Sequence, residues 1–137
     1  MSIHELRQFC SHAKPIIELS ENPAVLAEYG KDWSGTLPSH ASAVLFPRST
    51  VEVSELLKFC NEQSIAVVPS GGRTGLSGGA IAANGEVVLS VSKMNRILRF
   101  DATGLTLELD SGVITEAVHH YLEPHGLVWP VDFASKG

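Results

Sequence analysis

The residues with the clearest chemistry lie at positions 67–79, which read VVPSGGRTGLSGG. Five glycines, Gly71, Gly72, Gly75, Gly78 and Gly79, fall within nine residues. Glycine opens backbone conformations that side chains forbid and lets another group approach the main chain. Successive peptide N–H groups in such a loop form a concave nest for an anion. Arg73 adds a fixed positive charge, and Ser70, Thr74 and Ser77 add hydroxyl donors. The stretch therefore predicts a loop that holds phosphate. A glycine-rich turn between two strands is the plainer reading, but an ordinary turn needs far fewer glycines than this.

Two common nucleotide motifs do not account for the loop. A P-loop places Lys and then Ser or Thr after its last glycine, whereas Gly79 is followed by Ala80 and Ile81. A dinucleotide fingerprint spaces its glycines G-x-G-x-x-G and opens a helix, whereas Gly71-Gly72-Arg73-Thr74-Gly75 precedes no helical pattern. Other chemistries are weaker still. His119 and His120 are adjacent, so on a helix they diverge and cannot chelate as a pair four residues apart does. His125 suits a helix C-terminus, where a cation meets the dipole. His4, His12 and His40 are scattered, Cys60 reads as a core residue, and Trp33 and Trp129 read as packing residues. No catalytic acid, base or nucleophile and no metal site is assigned.

The elements that must position the loop follow from pattern. Residues 2–13 predict a helix capped by Ser2, with Ile3, Leu6, Phe9 and Cys10 on one face. Residues 16–19 form a short apolar run. Asn22 and Pro23 predict a cap and first turn of a short helix closed by Gly30. Residues 31–41 carry Trp33, Gly35 and Pro38 without periodicity and predict an exposed loop. Residues 43–46 predict a buried strand. Ser49 and Glu52 form a capping box for a helix to about residue 63, with Val53, Leu56, Leu57 and Cys60 inward and Glu52, Glu55, Lys58 and Glu62 toward water. Residues 65–68 predict a second strand parallel to the first through this crossover. The glycine loop then leaves the carboxyl end of that strand, where open α/β sheets bind ligands. Residues 86–91 predict a third strand. Residues 97–100 and 105–109 predict an antiparallel hairpin. Residues 115–123 predict a helix burying Val118, Tyr121 and Leu122, and residues 127–129 a final strand.

Composition bounds the function. The 137 residues suffice for one compact domain, and a formal charge of −5 argues against a nucleic-acid partner. No apolar run reaches membrane-spanning length, and the polar first residues lack the pattern of a secretory signal. Two cysteines without close metal spacing fit a reduced, cytoplasmic setting.

The sequence resembles the flavin oxidoreductases of the vanillyl-alcohol oxidase and p-cresol methylhydroxylase type, and within them the D-2-hydroxy-acid dehydrogenases: glycolate oxidase FAD subunit, D-lactate dehydrogenase and D-2-hydroxyglutarate dehydrogenase. Six markers carry the resemblance in order: FPRSTVEV from Phe46, VVPSGGRTGLSGGA from Val67, Leu89-Ser90 with Met94-Asn95-Arg96-Ile97, LDSGV from Leu109, His125-Gly126-Leu127, and PVDFASKG from Pro130. The resemblance implies an α/β (α+β) fold, the N-terminal lobe of a two-lobed flavin-binding domain, with a small mainly parallel sheet, flanking helices and an antiparallel hairpin. Residues 1–41 would be N-terminal helices and loop, and residues 42–137 the first part of the FAD-binding domain.

The resemblance also implies roles. Pro69, Ser70, Gly71, Gly72, Arg73, Thr74, Gly75 and Leu76 would wrap the FAD pyrophosphate through main-chain N–H groups, continued by Gly78 and Gly79. Pro130, Asp132 and Ser135 would lie near the flavin and its diphosphate. Relatives that bond the flavin covalently often carry histidine where Arg73 stands. Arginine cannot form that bond, so FAD is expected to dissociate, with the guanidinium placed to face the diphosphate. The chain is expected to stop before the second FAD loop and the substrate domain, so that the hydroxy-acid substrate concerns the full-length parent and the fragment itself is inactive. A reading from a different class is a flavin-free structural or interaction module that self-associates through an incomplete sheet edge.

Overall fold

The protein is described over residues 3–131 and 134 in a computed structural model. A four-stranded sheet carries the fold: β1 (Glu18–Ser20), β2 (Ala43–Phe46), β3 (Val67–Ser70) and β4 (Val87–Ser90), in the order β1-β2-β4-β3. β2 and β3 are each parallel to β4, while β1 is antiparallel to β2. The strands joined by the crossover helix are therefore parallel as predicted but not neighbours, because β4 lies between them. Every residue of β2 and β4 is buried. Such continuous apolar strands need cover on both faces. On one face α1 (Ile3–His12) and α3 (Thr50–Glu62) enclose Leu45, Val87 and Leu89 with Leu6, Cys10, Leu56 and Cys60. On the other, α2 (Pro23–Tyr29) brings Val25, Leu26 and Tyr29 onto Val44, Phe46 and Val88.

Local chemistry explains the helix starts. Asn22 Oδ1 accepts from Ala24 N–H at 2.9 Å, and Pro23 occupies the first turn of α2. Ser49 Oγ accepts from Glu52 N–H at 3.2 Å, the first bond of a capping box, while the Glu52 carboxylate reaches back one residue beyond the cap and accepts from Arg48 N–H at 2.8 Å. This bond draws Glu52 into the interior, 6% exposed, where simple helical periodicity puts it in water. Leu57 does the reverse and is exposed. Phe9 of α1 stacks on Phe59 of α3 with ring centres 4.4 Å apart. The expected cap at Ser2 lies outside the described residues.

The second strand starts later than residues 65–68 imply. Ile65 N–H still bonds to Cys60 O at 2.8 Å, and Ser64 turns with φ 54°, so the chain has not yet left the helix end. β3 instead runs on to Ser70 and brings Pro69 into an edge strand, where a missing N–H is tolerated. β5 (Ile97–Asp101) and β6 (Thr106–Leu109) form the expected antiparallel hairpin. α4 (Thr115–Leu122) packs on it through Phe100 and Tyr121, rings edge to face at 6.0 Å. Val118 and Leu122 are buried as expected, whereas Tyr121 is half-buried. No strand forms at residues 127–129. A 3₁₀ turn (Glu123–His125) and Gly126 at φ 67° redirect the chain. No helix among the described residues is long and apolar enough to cross a membrane.

Candidate functional site

The glycine loop rises from Ser70, at the carboxyl ends of the parallel strands. From Gly71 through Ala80, among the described residues, no backbone N–H meets a protein acceptor at full hydrogen-bonding distance and angle. The carbonyls of the same stretch are partly used: Gly75 O accepts from Trp33 N–H and Gly78 O from Ile81 N–H. The loop thus carries a run of peptide donors left open by the rest of the chain, as a nest for an anion requires. The glycines keep space open above it. A Cβ at Gly71 or Gly79 would meet nothing within 4 Å, and neither residue has a left-handed φ. Neither the chain's own packing nor its backbone conformation demands glycine there.

The segment after α2 braces this loop. Trp33 N–H bonds to Gly75 O at 3.1 Å, Ala82 N–H to Gly30 O at 3.0 Å and His40 N–H to Ala82 O at 2.7 Å. Residues 31–41 are therefore not the free surface loop that their composition suggests: Asp32 and Ala41 are buried. Asp32 Oδ1 accepts from the Ser34 N–H at 2.9 Å and its hydroxyl at 2.6 Å. The Ser34 hydroxyl is the main cause holding the Asp32 carboxyl below the usual carboxylate range, with the Gly78 and Ala80 N–H groups adding to it against the cost of burial. Arg73 adopts φ 58° and turns its guanidinium toward α2, over the Tyr29 ring at 4.5 Å and 3.2 Å from Glu28 Oε1. Beside Arg73 and Lys31 stand Glu28 and Asp32, so side-chain charge near the loop is balanced. Attraction for an anion rests on peptide dipoles.

The structure places the sequence-derived candidates unevenly. Gly71, Gly72, Thr74, Gly75, Leu76 and Gly79 are exposed along the loop, with Gly78 half-buried at φ 77°. Pro69 is exposed on β3. Ser70 is 1% exposed and turns inward, its hydroxyl 3.4 Å from Tyr29 O, beside the equally buried Ser90 in register on β4. Pro130 is exposed beyond α4, and no hydrogen bond, ion pair or ring contact joins it to the loop. Asp132 and Ser135 lie outside the described residues. Sequence reasoning missed Glu28, Tyr29 and Asp32. For Asp32 one signal existed: the Asp-x-Ser spacing of a side-chain-closed turn. Among the described residues no cluster of His, Cys, Asp or Glu could hold a metal.

Known proteins resemble this arrangement. The D-2-hydroxyglutarate dehydrogenase of Xanthomonas citri pv. viticola is 48% identical over 125 residues, covering 91% of this chain and 26% of that protein. The chain thus spans about a quarter of that relative's length. A solved alkyldihydroxyacetonephosphate synthase superposes with a TM-score of 0.83 at 16% identity, over 97% of this chain and 27% of its own. p-Cresol methylhydroxylase with substrate bound superposes with a TM-score of 0.68 at 23% identity, over 80% of this chain and 22% of its own. These two share the fold: a mainly parallel sheet with flanking helices and an antiparallel hairpin. The pattern of the FAD binding domain matches residues 41–137, which include the strands β2 to β4 and the whole glycine loop. With FAD as the cofactor of such domains and a donor-rich open loop at the sheet's carboxyl end, the chain belongs to the FAD binding domain family.

Proposed function

We propose that the chain holds the diphosphate of FAD in the loop from Gly71 to Ala80, as part of a flavin oxidoreductase that oxidises a D-2-hydroxy acid to the 2-oxo acid. The observation that carries the binding role is the run of N–H groups from Gly71 through Ser77 that meets no protein acceptor at full hydrogen-bonding distance and angle. A diphosphate, with several oxygens along a short length, satisfies several of them at once. The substrate class is supported by kinship with D-2-hydroxyglutarate dehydrogenases. When bound, FAD supplies the acceptor for the hydride lost by the hydroxy acid. The chain's own part is to bind and orient that cofactor, and we assign it no catalytic acid or base. Arg73 offers no nucleophile to the flavin, so the cofactor is held without a covalent bond.

Titration with FAD, ADP and FMN, read by thermal melting and flavin fluorescence, tests this. FAD and ADP share a diphosphate and are expected to raise the melting temperature saturably, FMN much less, because binding to the folded state alone adds stability. A melting curve unmoved by FAD at ~1 mM, a concentration that fills any site of better than millimolar affinity, overturns the reading. Acid precipitation of the FAD-loaded chain is expected to leave the flavin in the supernatant.

A further inference from the structure

We propose that Asp32 is a positioning residue for the cofactor diphosphate: its buried carboxylate, locked at one oxygen by Ser34, presents the other to the inner side of the glycine loop and fixes the loop's second half in its anion-holding shape. This rests on the reading of the loop as a diphosphate site. Asp32 is 7% exposed. Oδ1 is held by both donors of Ser34, and Oδ2 is buried without a hydrogen bond of full geometry. A buried carboxylate oxygen left so is costly unless dipoles face it. The Gly78 and Ala80 N–H groups do, since they help keep the carboxyl ionised. A Cβ added at Gly75 would come within 3.8 Å of Oδ2, so that oxygen lies directly under the loop. The next residue, Trp33, ties Gly75 O by its N–H.

A negative charge under a phosphate loop does not attract the phosphate. Its use is to gather peptide donors from below, which fixes the planes of the peptides beside them. Asparagine is the same size but has one acceptor oxygen. Both oxygens of Asp32 face donors, so asparagine must turn its NH₂ either on the Ser34 N–H or on the loop.

The test compares wild type, Asp32→Asn and Ser34→Ala in the full chain by amide hydrogen exchange without cofactor, thermal melting and FAD titration. Asp32→Asn is expected to speed exchange at the Trp33 and Ile81 amides at least tenfold, leave the amides of α3 and β4 at wild-type rates, and weaken FAD binding at least tenfold. Ser34→Ala, which removes one of the two donors to Oδ1 and leaves the other, is expected to shift the same amides and FAD affinity less, and it stands in if Asp32→Asn does not fold. Unchanged exchange at Trp33 and Ile81 overturns the proposal. So does exchange that rises uniformly with a fallen melting temperature, the mark of a merely structural role. If wild type takes up no FAD while the loop amides respond as described, the diphosphate reading fails and the hold of Asp32 on the loop stands.

Discussion

The guanidinium of Arg73 lies over Tyr29 of α2, its central carbon 4.5 Å from the centre of the ring. Tyr29 in turn meets Phe46 of β2 edge to face at 4.9 Å, so the loop is tied through one side chain to the core of the sheet. Arg73 holds a left-handed φ of 58°, which costs a non-glycine residue about 1–2 kcal/mol. The cation–π contact with Tyr29 and the pair with Glu28 act against that cost.

Because the guanidinium is engaged with Tyr29 and Glu28, its loss is expected to disturb the fold slightly and the cofactor little. Arg73→Met is expected to lower stability by about 0.5–1 kcal/mol, the scale of an exposed cation–π contact. It is expected to change the FAD dissociation constant by no more than about threefold. Were the guanidinium bonded to the diphosphate, losing a charged hydrogen bond would cost roughly tenfold or more. Calorimetric titration of both proteins with FAD decides between these.

Gly71 and Gly112 separate binding from folding. The space over Gly71 is open, so Gly71→Ala is expected to melt within a few degrees of wild type and to lose at least tenfold in FAD affinity, because the methyl group intrudes where the ligand approaches. Gly112 packs against main chain: an added Cβ would fall 2.9 Å from Met94 O and 2.7 Å from the Val91 carbonyl carbon. Gly112→Ala is expected to cost ~2–3 kcal/mol in urea unfolding, as overpacking against rigid backbone does.

What the sequence reveals here follows the range of the forces involved. The α3 cap and the β5–β6 hairpin rest on neighbours a few residues away, and β2 announces itself by an unbroken apolar run, so pattern alone found them. The glycine loop was legible because five glycines in nine residues have few uses. The insertion of β4 between β2 and β3 was not, since a parallel crossover sets direction and leaves adjacency open. Asp32 and Tyr29 were invisible for a related reason. Their partners, Gly75, Gly78 and Arg73, lie some forty residues on in the chain, and only the folded sheet brings them together.

The two thiols are expected to be inert. Cys10 and Cys60 are buried between α1 and α3, and burial, then the neighbouring Cys60, pushes the Cys10 thiol up to about 11 from an ordinary 9.0. At a given pH below both values the thiolate fraction falls about 100-fold, and alkylation falls with it. Native protein is expected to leave both cysteines unmodified by iodoacetamide at pH 8 on a timescale that labels the urea-unfolded chain fully. Peptide mass mapping reads the result.

Asp110 makes stability depend on acid. Arg96 Nε donates to Asp110 Oδ2 at 2.7 Å, and this bond, with smaller help from the Arg96 N–H and charge, holds the carboxyl below the usual aspartate range despite its burial. A carboxyl whose folded pKa is depressed binds fewer protons folded than unfolded. Its contribution is therefore present in full above the unfolded value near 4, and is lost as pH falls through the lower folded value. Asp110→Asn keeps the size and removes the charge. It is expected to lower the urea midpoint at pH 7, and the gap from wild type is expected to narrow steadily from about pH 4 downward as the wild-type carboxylate protonates. A gap that stays constant across that range would place the stabilising effect of Asp110 in side-chain bonds that survive protonation, such as the one from the Arg96 N–H, and not in its charge.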